Sequence, residues 1–218
     1  YQPSSYIGGD FYDFLPIDQE KIGFFISDVK GSGVASAMIT ATLKDNINKL
    51  FSLWAEPALF LQELNKQLTY FFANISNDFF VTAFYGVLDW STKRFVYTNA
   101  GQNSPYLLSE KILKLDSAEG YPLGIFSDSV YPNHAVSFPQ GAEIFMYTDG
   151  IFELPLFGKN FHGAVLLEDI FAQIGRQLSP LQLETLKTEI KNVLATETIA
   201  DDVNYIAIKN IAVKEEKR

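Results

Sequence analysis

Residues 22–29 read Ile-Gly-Phe-Phe-Ile-Ser-Asp-Val, a strand pattern with apolar side chains on consecutive positions, Phe24 and Phe25 among them. Successive strand residues point to opposite faces, so both faces of this strand need cover. A chain that opens this way needs layers on either side of its sheet. Comparable runs lie at Phe11–Ile17, Phe79–Leu88, Phe95–Asn99, Ala142–Tyr147 and Val203–Lys209, and Pro105–Leu108 with Ile112–Leu115 fits a short hairpin. The connections at Asp18–Lys21 and Asp89–Lys93 are too short for a crossover helix, which predicts antiparallel pairing. Ser117–Pro139 reads as turn-rich, with few clear elements.

Between the strand runs the apolar period changes. Val34, Met38, Ala41, Ile47, Leu50, Phe51 and Trp54 fall at helical spacing and predict an amphipathic helix over 34–54. Pro57 suits the first turn of a second helix reaching about Phe72. Two further helical stretches are expected at about Ala164–Gln177 and Pro180–Leu194. Paired aromatics at Phe24-Phe25, Phe71-Phe72 and Phe79-Phe80 read as core. The whole pattern predicts an α+β fold with sheets in the middle and helix pairs outside. With 218 residues and 47% hydrophobic content there is material for one sizeable core.

Composition then removes whole classes of chemistry. There is no cysteine, so disulfides, zinc ribbons and thiol catalysis are excluded, and two histidines, His134 and His162, cannot build a multi-histidine metal site. His162 reads as a loop residue. A net charge of −9 disfavours broad binding to nucleic acid or to an anionic membrane. No apolar run is long enough to span a bilayer. A start at Tyr1 without a signal-peptide pattern leads us to expect a cytoplasmic domain of a longer protein, whose upstream part could carry a membrane anchor.

What remains is carboxylates, and they share a local grammar. Asp10 follows Gly8-Gly9 ahead of a strand, Asp28 closes a strand before Gly31 and Gly33, Asp149 closes one before Gly150, and Asp201-Asp202 precedes the last strand. An acid at a strand end beside glycine stands at the rim of a sheet, where backbone bends close to a ligand. Taken singly, each is more often a turn residue bonding its own backbone. Taken together at one sheet edge, they would make an oxygen-only site of the sort that suits Mg²⁺ or Mn²⁺ and not zinc.

The same segments carry a resemblance. Ile7-Gly8-Gly9-Asp10-Phe11-Tyr12-Asp13-Phe14 resembles the GGDxYDF opening of bacterial SpoIIE/RsbU-type serine phosphatases, in the metal-dependent type 2C (PPM) superfamily. Ser27–Gly33 resembles the family's DVxGxG turn, Thr82–Asp89 its central strand and Asn99-Ala100-Gly101 its NAGH. Pro122-Leu123-Gly124, Tyr147-Thr148-Asp149-Gly150 and Asp201-Asp202-Val203-Asn204 are similar to its PLG, YTDG and DDxT, all in the family's order. The resemblance implies a four-layer αββα sandwich over 1–213, a charged tail at 214–218 and an upstream sensor or regulatory domain. It implies hydrolysis of a phosphoserine or phosphothreonine monoester by a water bridging two Mn²⁺ or Mg²⁺ ions, on a STAS-like anti-anti-sigma protein in bacterial stress signalling.

By the same motif matching, Asp28 would bridge both ions, Asp10 and the Val29 carbonyl would serve one, and Asp149 with the closing acids would serve the other. Asp201 is preferred as the direct ligand, with Asp202 behind it. Lys30 and Gly31 are candidates to meet the phosphate, although a solvated loop lysine is the plainer reading of Lys30. Lys30, Gln102 and Asn204 depart from the family's small residue, His and Thr. The helices over 34–54 and 57–72 correspond to those where the family's upstream domains and dimerisation act, so substitutions at a buried Met38 or Leu50 are expected to alter activation more than folding. Two other readings compete. One is a phosphatase-like module that binds a partner with little or no turnover. The other, a diguanylate cyclase, is rejected because the Gly-Gly turn lies at residue 8 and not in mid-domain.

Overall fold

The computed structural model describes residues 1–4, 6–75, 78–109, 112–115, 120–156 and 180–211. Two antiparallel sheets lie face to face. The first contains β1 (Phe11–Pro16), β2 (Lys21–Val29), β3 (Val81–Asp89), β4 (Arg94–Ala100) and β7 (His134–Ser137), in the order β1-β2-β3-β4-β7. The second contains β5 (Tyr106–Leu108), β6 (Ile112–Lys114), β8 (Glu143–Tyr147) and β9 (Tyr205–Lys209), ordered β6-β5-β8-β9. Helices α1 (Val34–Lys49) and α2 (Pro57–Ala73) pack on the first sheet, and α3 (Pro180–Thr196) packs on the second.

Three apolar layers result, and β2 shows why. Its pleat sends Phe25 and Val29 into the core beneath α1 and α2, while Phe24 and Ile26 enter the core between the sheets. That middle layer joins them to Phe84, Phe95 and Tyr97 from one sheet and Ile144, Met146 and Ile206 from the other. The consecutive aromatics thus serve two different interiors, each fully buried ring or aliphatic chain contributing about 1.5–3 kcal/mol. The expected αββα layering is the architecture observed. The helix expected at Ala164–Gln177, His162 and the tail at 214–218 lie outside the described residues.

Two expectations need correcting. The helix over 34–54 ends at Lys49 and gives way to a 3-10 turn, Phe51–Leu53. Its buried face is Ser36, Ile39, Leu43 and Ile47, so Met38 is not buried: it is 67% exposed, and Val34 is 65% exposed. The stripe is rotated because α1 comes so close to Gly9 that a Cβ added there would stand 3.1 Å from the Ser36 Cβ. Only a small residue fits on that face, and the large chains begin a turn later at Ile39. Leu50 does pack, half-buried, against the core. The second correction is β7, inside a stretch expected to lack elements. It is a short, half-exposed edge strand whose His134 stacks on Tyr97 at 5.6 Å, and such a strand carries little apolar signal.

Loops at one end are held from below. Asn65 of α2, fully buried, accepts the Gly124 N–H at 2.8 Å and donates to the Phe126 carbonyl at 2.7 Å. Leu123 and Val81 exchange two backbone hydrogen bonds. The Pro122-Leu123-Gly124 segment is thereby fixed where β2 and β3 also end, with Val29 opposite Val81.

Candidate metal centre

Asp28 sits one residue before the end of β2, on the face that carries Phe24 and Ile26, where the sheets part. Asp10 immediately precedes β1, and Phe11 pairs with Ser27, so Asp10 arrives at the same end. Asp149 follows β8 by two residues and opens a 3-10 turn, Asp149–Glu153. Asp201 lies just before β9, which pairs along β8. A cleft of about 440 Å³ opens there, lined by Asp28, Gly31, Ser32, Glu153, Ala200 and Asp201.

Asp10, Asp28 and Asp201 each feel neighbouring acids. Burial raises the Asp10 carboxyl to about 9, opposed by a hydrogen bond from Thr148 and reinforced by the charges of Asp28, Asp202 and Asp149. Asp28 is pushed up to about 7, first by burial and then by Asp149, Asp201 and Asp202. Asp201 is raised as well, by burial more than by Asp149 and Asp202. Among the described residues none of these acids is ion-paired with a lysine, arginine or histidine. No group of three or more acids or histidines among the described residues is arranged to hold a metal ion. What the acids share is one end of the sandwich and a mutual repulsion that protonation or an added cation relieves. Oxygen-only donors, strong negative field and an open cleft are what a hard divalent ion requires.

Asp202 behaves differently from its neighbour. Only 6% exposed, it accepts the Ser4 N–H and hydroxyl on Oδ1 (2.8 and 2.9 Å) and the Gly9 and Asp10 N–H groups on Oδ2 (2.7 and 3.4 Å). Both oxygens are spent on backbone that leads into Asp10. The close approach demands glycine: a Cβ on Gly8 would stand 1.8 Å from Asp202 Oδ2, and one on Gly150 would stand 1.9 Å from the Asp202 carbonyl oxygen. Gln2 and Val203 exchange two further backbone bonds. The opening segment is thus stitched to the DDxT-like segment nearly two hundred residues later.

The Val29 carbonyl lies against Gly9, where a Cβ would come within 2.8 Å of its oxygen. Gly31 lines the cleft with a φ of 101°. Lys30 is exposed and reaches over the Phe80 ring, 5.4 Å from its centroid. Gln102 is buried, accepts from the Thr82 hydroxyl at 2.7 Å and exchanges hydrogen bonds with Asn99 through its backbone. Asn204 is fully buried and its side-chain amide finds no hydrogen-bond partner among the described residues, although its backbone N–H is held by Thr148.

Four participants were not singled out from the sequence: Tyr1, Ser4, Thr148 and Glu153. Burial and the charges of Asp202 and Asp10 raise the Tyr1 phenol to about 12, so its ring stands beside the acids. Glu153 lies four residues beyond Asp149, a helical spacing that would have brought it to the same side. Nothing local marks Ser4 or Tyr1.

The family described as Stage II sporulation protein E (SpoIIE) matches residues 18–210. Phosphoserine phosphatase RsbP of Bacillus subtilis is 30% identical over 156 residues, 70% of this chain and 38% of RsbP. Phosphoserine phosphatase RsbU of the same organism is 29% identical over 154 residues, 69% of this chain and 44% of RsbU. The chain thus spans about two fifths of the length of these relatives. Among solved structures, the SiaA-PP2C domain of Pseudomonas aeruginosa superposes with a TM-score of 0.74 at 20% identity, covering 95% of this chain and 83% of that one. That likeness establishes a PP2C fold, and the extent of the sequence match establishes the lineage within it: the chain belongs to the SpoIIE family, as a SpoIIE/RsbU-type domain.

Proposed function

We propose that this chain is a protein serine/threonine phosphatase that hydrolyses a phosphoserine or phosphothreonine monoester with two divalent cations, Mn²⁺ or Mg²⁺. One observation carries the reading. Aspartates from positions 10, 28, 149 and 201 gather at one end of the sandwich, where the charge of Asp149 reaches Asp10, Asp28 and Asp201, with no basic partner among the described residues.

Asp28 lines the cleft and feels Asp149 and Asp201, and its charge in turn reaches Asp10, which suits it to be shared between two ions. Asp10 and the Val29 carbonyl serve one ion, and Asp149 and Asp201 serve the other. Asp202, saturated by N–H and hydroxyl donors, holds the Gly9–Asp10 backbone in place and does not itself ligate. When bound, two such ions lower the pKa of a water and offset the charge of the phosphoryl oxygens. Gly31 and Ser32 keep the cleft wall low, leaving room for a phosphoryl group carried on a protein chain. Lys30, on the same turn, is placed to meet the anion only if it leaves Phe80. With no cysteine in the chain, direct attack by water is the economical route.

The names of RsbP and RsbU support a phosphoserine substrate. The resemblance supports a STAS-like anti-anti-sigma protein as that substrate, an upstream regulatory domain in the same polypeptide, a dimeric arrangement and a cytoplasmic site of action. Among the described residues no helix is long and apolar enough to cross a membrane. The test is phosphate release from an aryl phosphate and from a phosphoserine protein, with and without Mn²⁺. Metal-dependent release from both is expected. Metal-independent turnover would overturn the mechanism, and binding of the phosphoprotein without release would favour a partner-binding module.

A further inference from the structure

Asp10 does not reach the metal end of the sandwich unaided. Its Oδ2 accepts a hydrogen bond of 2.6 Å from the Thr148 hydroxyl, 138 residues away in the chain. Thr148 is fully buried and Asp10 is 7% exposed. The Thr148 oxygen also accepts the Asn204 N–H at 3.0 Å, which leaves its single proton two destinations: Asp10 at 2.6 Å or the Asn204 carbonyl at 3.3 Å. That carbonyl already accepts the Thr148 N–H at 2.9 Å. The shorter bond is the better one, so the proton points at Asp10. Among the described residues, Asp10 Oδ1 has no such donor. One carboxylate oxygen is anchored and the other is left to face a ligand.

Thr148 also immediately precedes Asp149. Its hydroxyl therefore ties the acid assigned to one ion to the residue next to the acid assigned to the other, and its bond to Asn204 ties both to the start of β9. From this geometry we infer that Thr148 is a positioning residue for the metal centre: its hydroxyl sets the orientation of Asp10 and its distance from Asp149. The inference rests on the proposed role of Asp10 as a ligand. A methyl-bearing residue of the same shape would fill the space and lose the function, whereas serine would keep it.

The test is calorimetric titration of the metal-free chain with Mn²⁺ alone, on Thr148→Val, Thr148→Ala and Thr148→Ser, each with its unfolding midpoint measured. Removing a group that orients a ligand typically weakens metal affinity by about 10- to 100-fold, and this loss is expected for Val and Ala, with Ser within about threefold of the parent. In the phosphatase assay the Mn²⁺ concentration for half-maximal rate should shift by the same factor, with the rate at saturating Mn²⁺ moving less. Wild-type Mn²⁺ affinity in Thr148→Val overturns the inference, as does a Ser variant that loses as much as Ala. Should Val not fold, the Ala and Ser pair makes the same comparison. Asp10→Asn separates the two layers: if it loses Mn²⁺ binding while Thr148→Val does not, only the positioning role fails, and if it binds normally, the ligand assignment fails with it.

Discussion

Asp28 and Asp89 occupy neighbouring strands of one sheet and close them at opposite ends, in register with Thr82 and with Lys21 respectively. Asp89 is the turn residue that an aspartate at a strand end usually is. It accepts the Ser91 hydroxyl at 2.7 Å and the Thr92 N–H at 3.0 Å, and these bonds hold its carboxyl below the usual range in full solvent. Asp28 has no basic partner among the described residues, is partly buried, and is pushed up to about 7. At Asp89's end the sandwich closes on a cavity of about 390 Å³ lined by Leu88, Trp90, Phe138 and Ile208, with Lys93 and Lys209 also on its wall. At Asp28's end it opens onto acid. One pole satisfies its charge locally, and the other stores a charge that something from outside must balance.

The sharpest way to break this contrast is to neutralise each acid. Asp28→Asn should cost phosphate release on the order of a thousandfold or more, while Asp89→Asn should change it by less than about twofold, read on an aryl phosphate. Equal losses would erase the distinction between the poles. Mn²⁺ at about a hundredfold excess over its Kd should raise the unfolding midpoint of the parent chain by roughly 5–10 °C, and that of Asp28→Asn by far less. A chelator should reverse the gain.

The two poles should also differ in pH response. Folding raises the proton affinity of Asp10 and Asp28 to about 9 and about 7, so above the ordinary carboxylate range the unfolded chain binds fewer protons than the folded one. Stability of the metal-free chain should therefore fall as pH climbs from about 4 toward about 9, and saturating Mn²⁺ should flatten that slope. Asp89 acts in the opposite sense: its contribution is present above its unfolded value and lost as pH falls through its lowered one. Denaturant midpoints at pH 5, 7 and 8.5, with and without Mn²⁺, check the first sign, and midpoints of the parent and Asp89→Asn at pH 5 and at about pH 3 check the second.

Within the acid pole itself, Asp202→Ala should destabilise the chain by about 2–4 kcal/mol, because buried N–H donors from Gly9 and Asp10 lose a charged acceptor. Asp201→Ala should cost under about 0.5 kcal/mol in urea while weakening Mn²⁺ binding. The smallest effect belongs to Met38→Ser, within about 0.5 kcal/mol, against about 2–5 kcal/mol for Ile39→Ala one residue away.

Several of these contrasts were legible in the letters and several were not. Phe24-Phe25 announced a strand buried on both faces because strand periodicity is a local property. The aspartates at 10, 28, 149 and 201 were readable as rim residues because an acid at a strand end, with glycine close by at the first three, is a local signal too. The Asp89 turn shows the ambiguity of that signal, since nothing within a few residues tells a satisfied carboxylate from a stranded one. The α1 stripe was misread at Met38 because a helix offers more than one apolar face, and the face buried is chosen by what lies beneath it. Strand β7 went unseen because an edge strand needs few apolar residues.

Local order, then, came from the sequence: which segments extend, which coil, and which acids stand at their ends, since backbone preference and side-chain alternation act over a handful of residues. Only the tertiary structure spent both Asp202 oxygens on the Ser4, Gly9 and Asp10 N–H groups, turned Thr148 toward Asp10, and laid Ser4 and Gly9 against the far end of the chain. Those choices depend on distances between residues remote in sequence, and a carboxylate's chemistry is decided by which charges, donors and solvent the fold brings beside it.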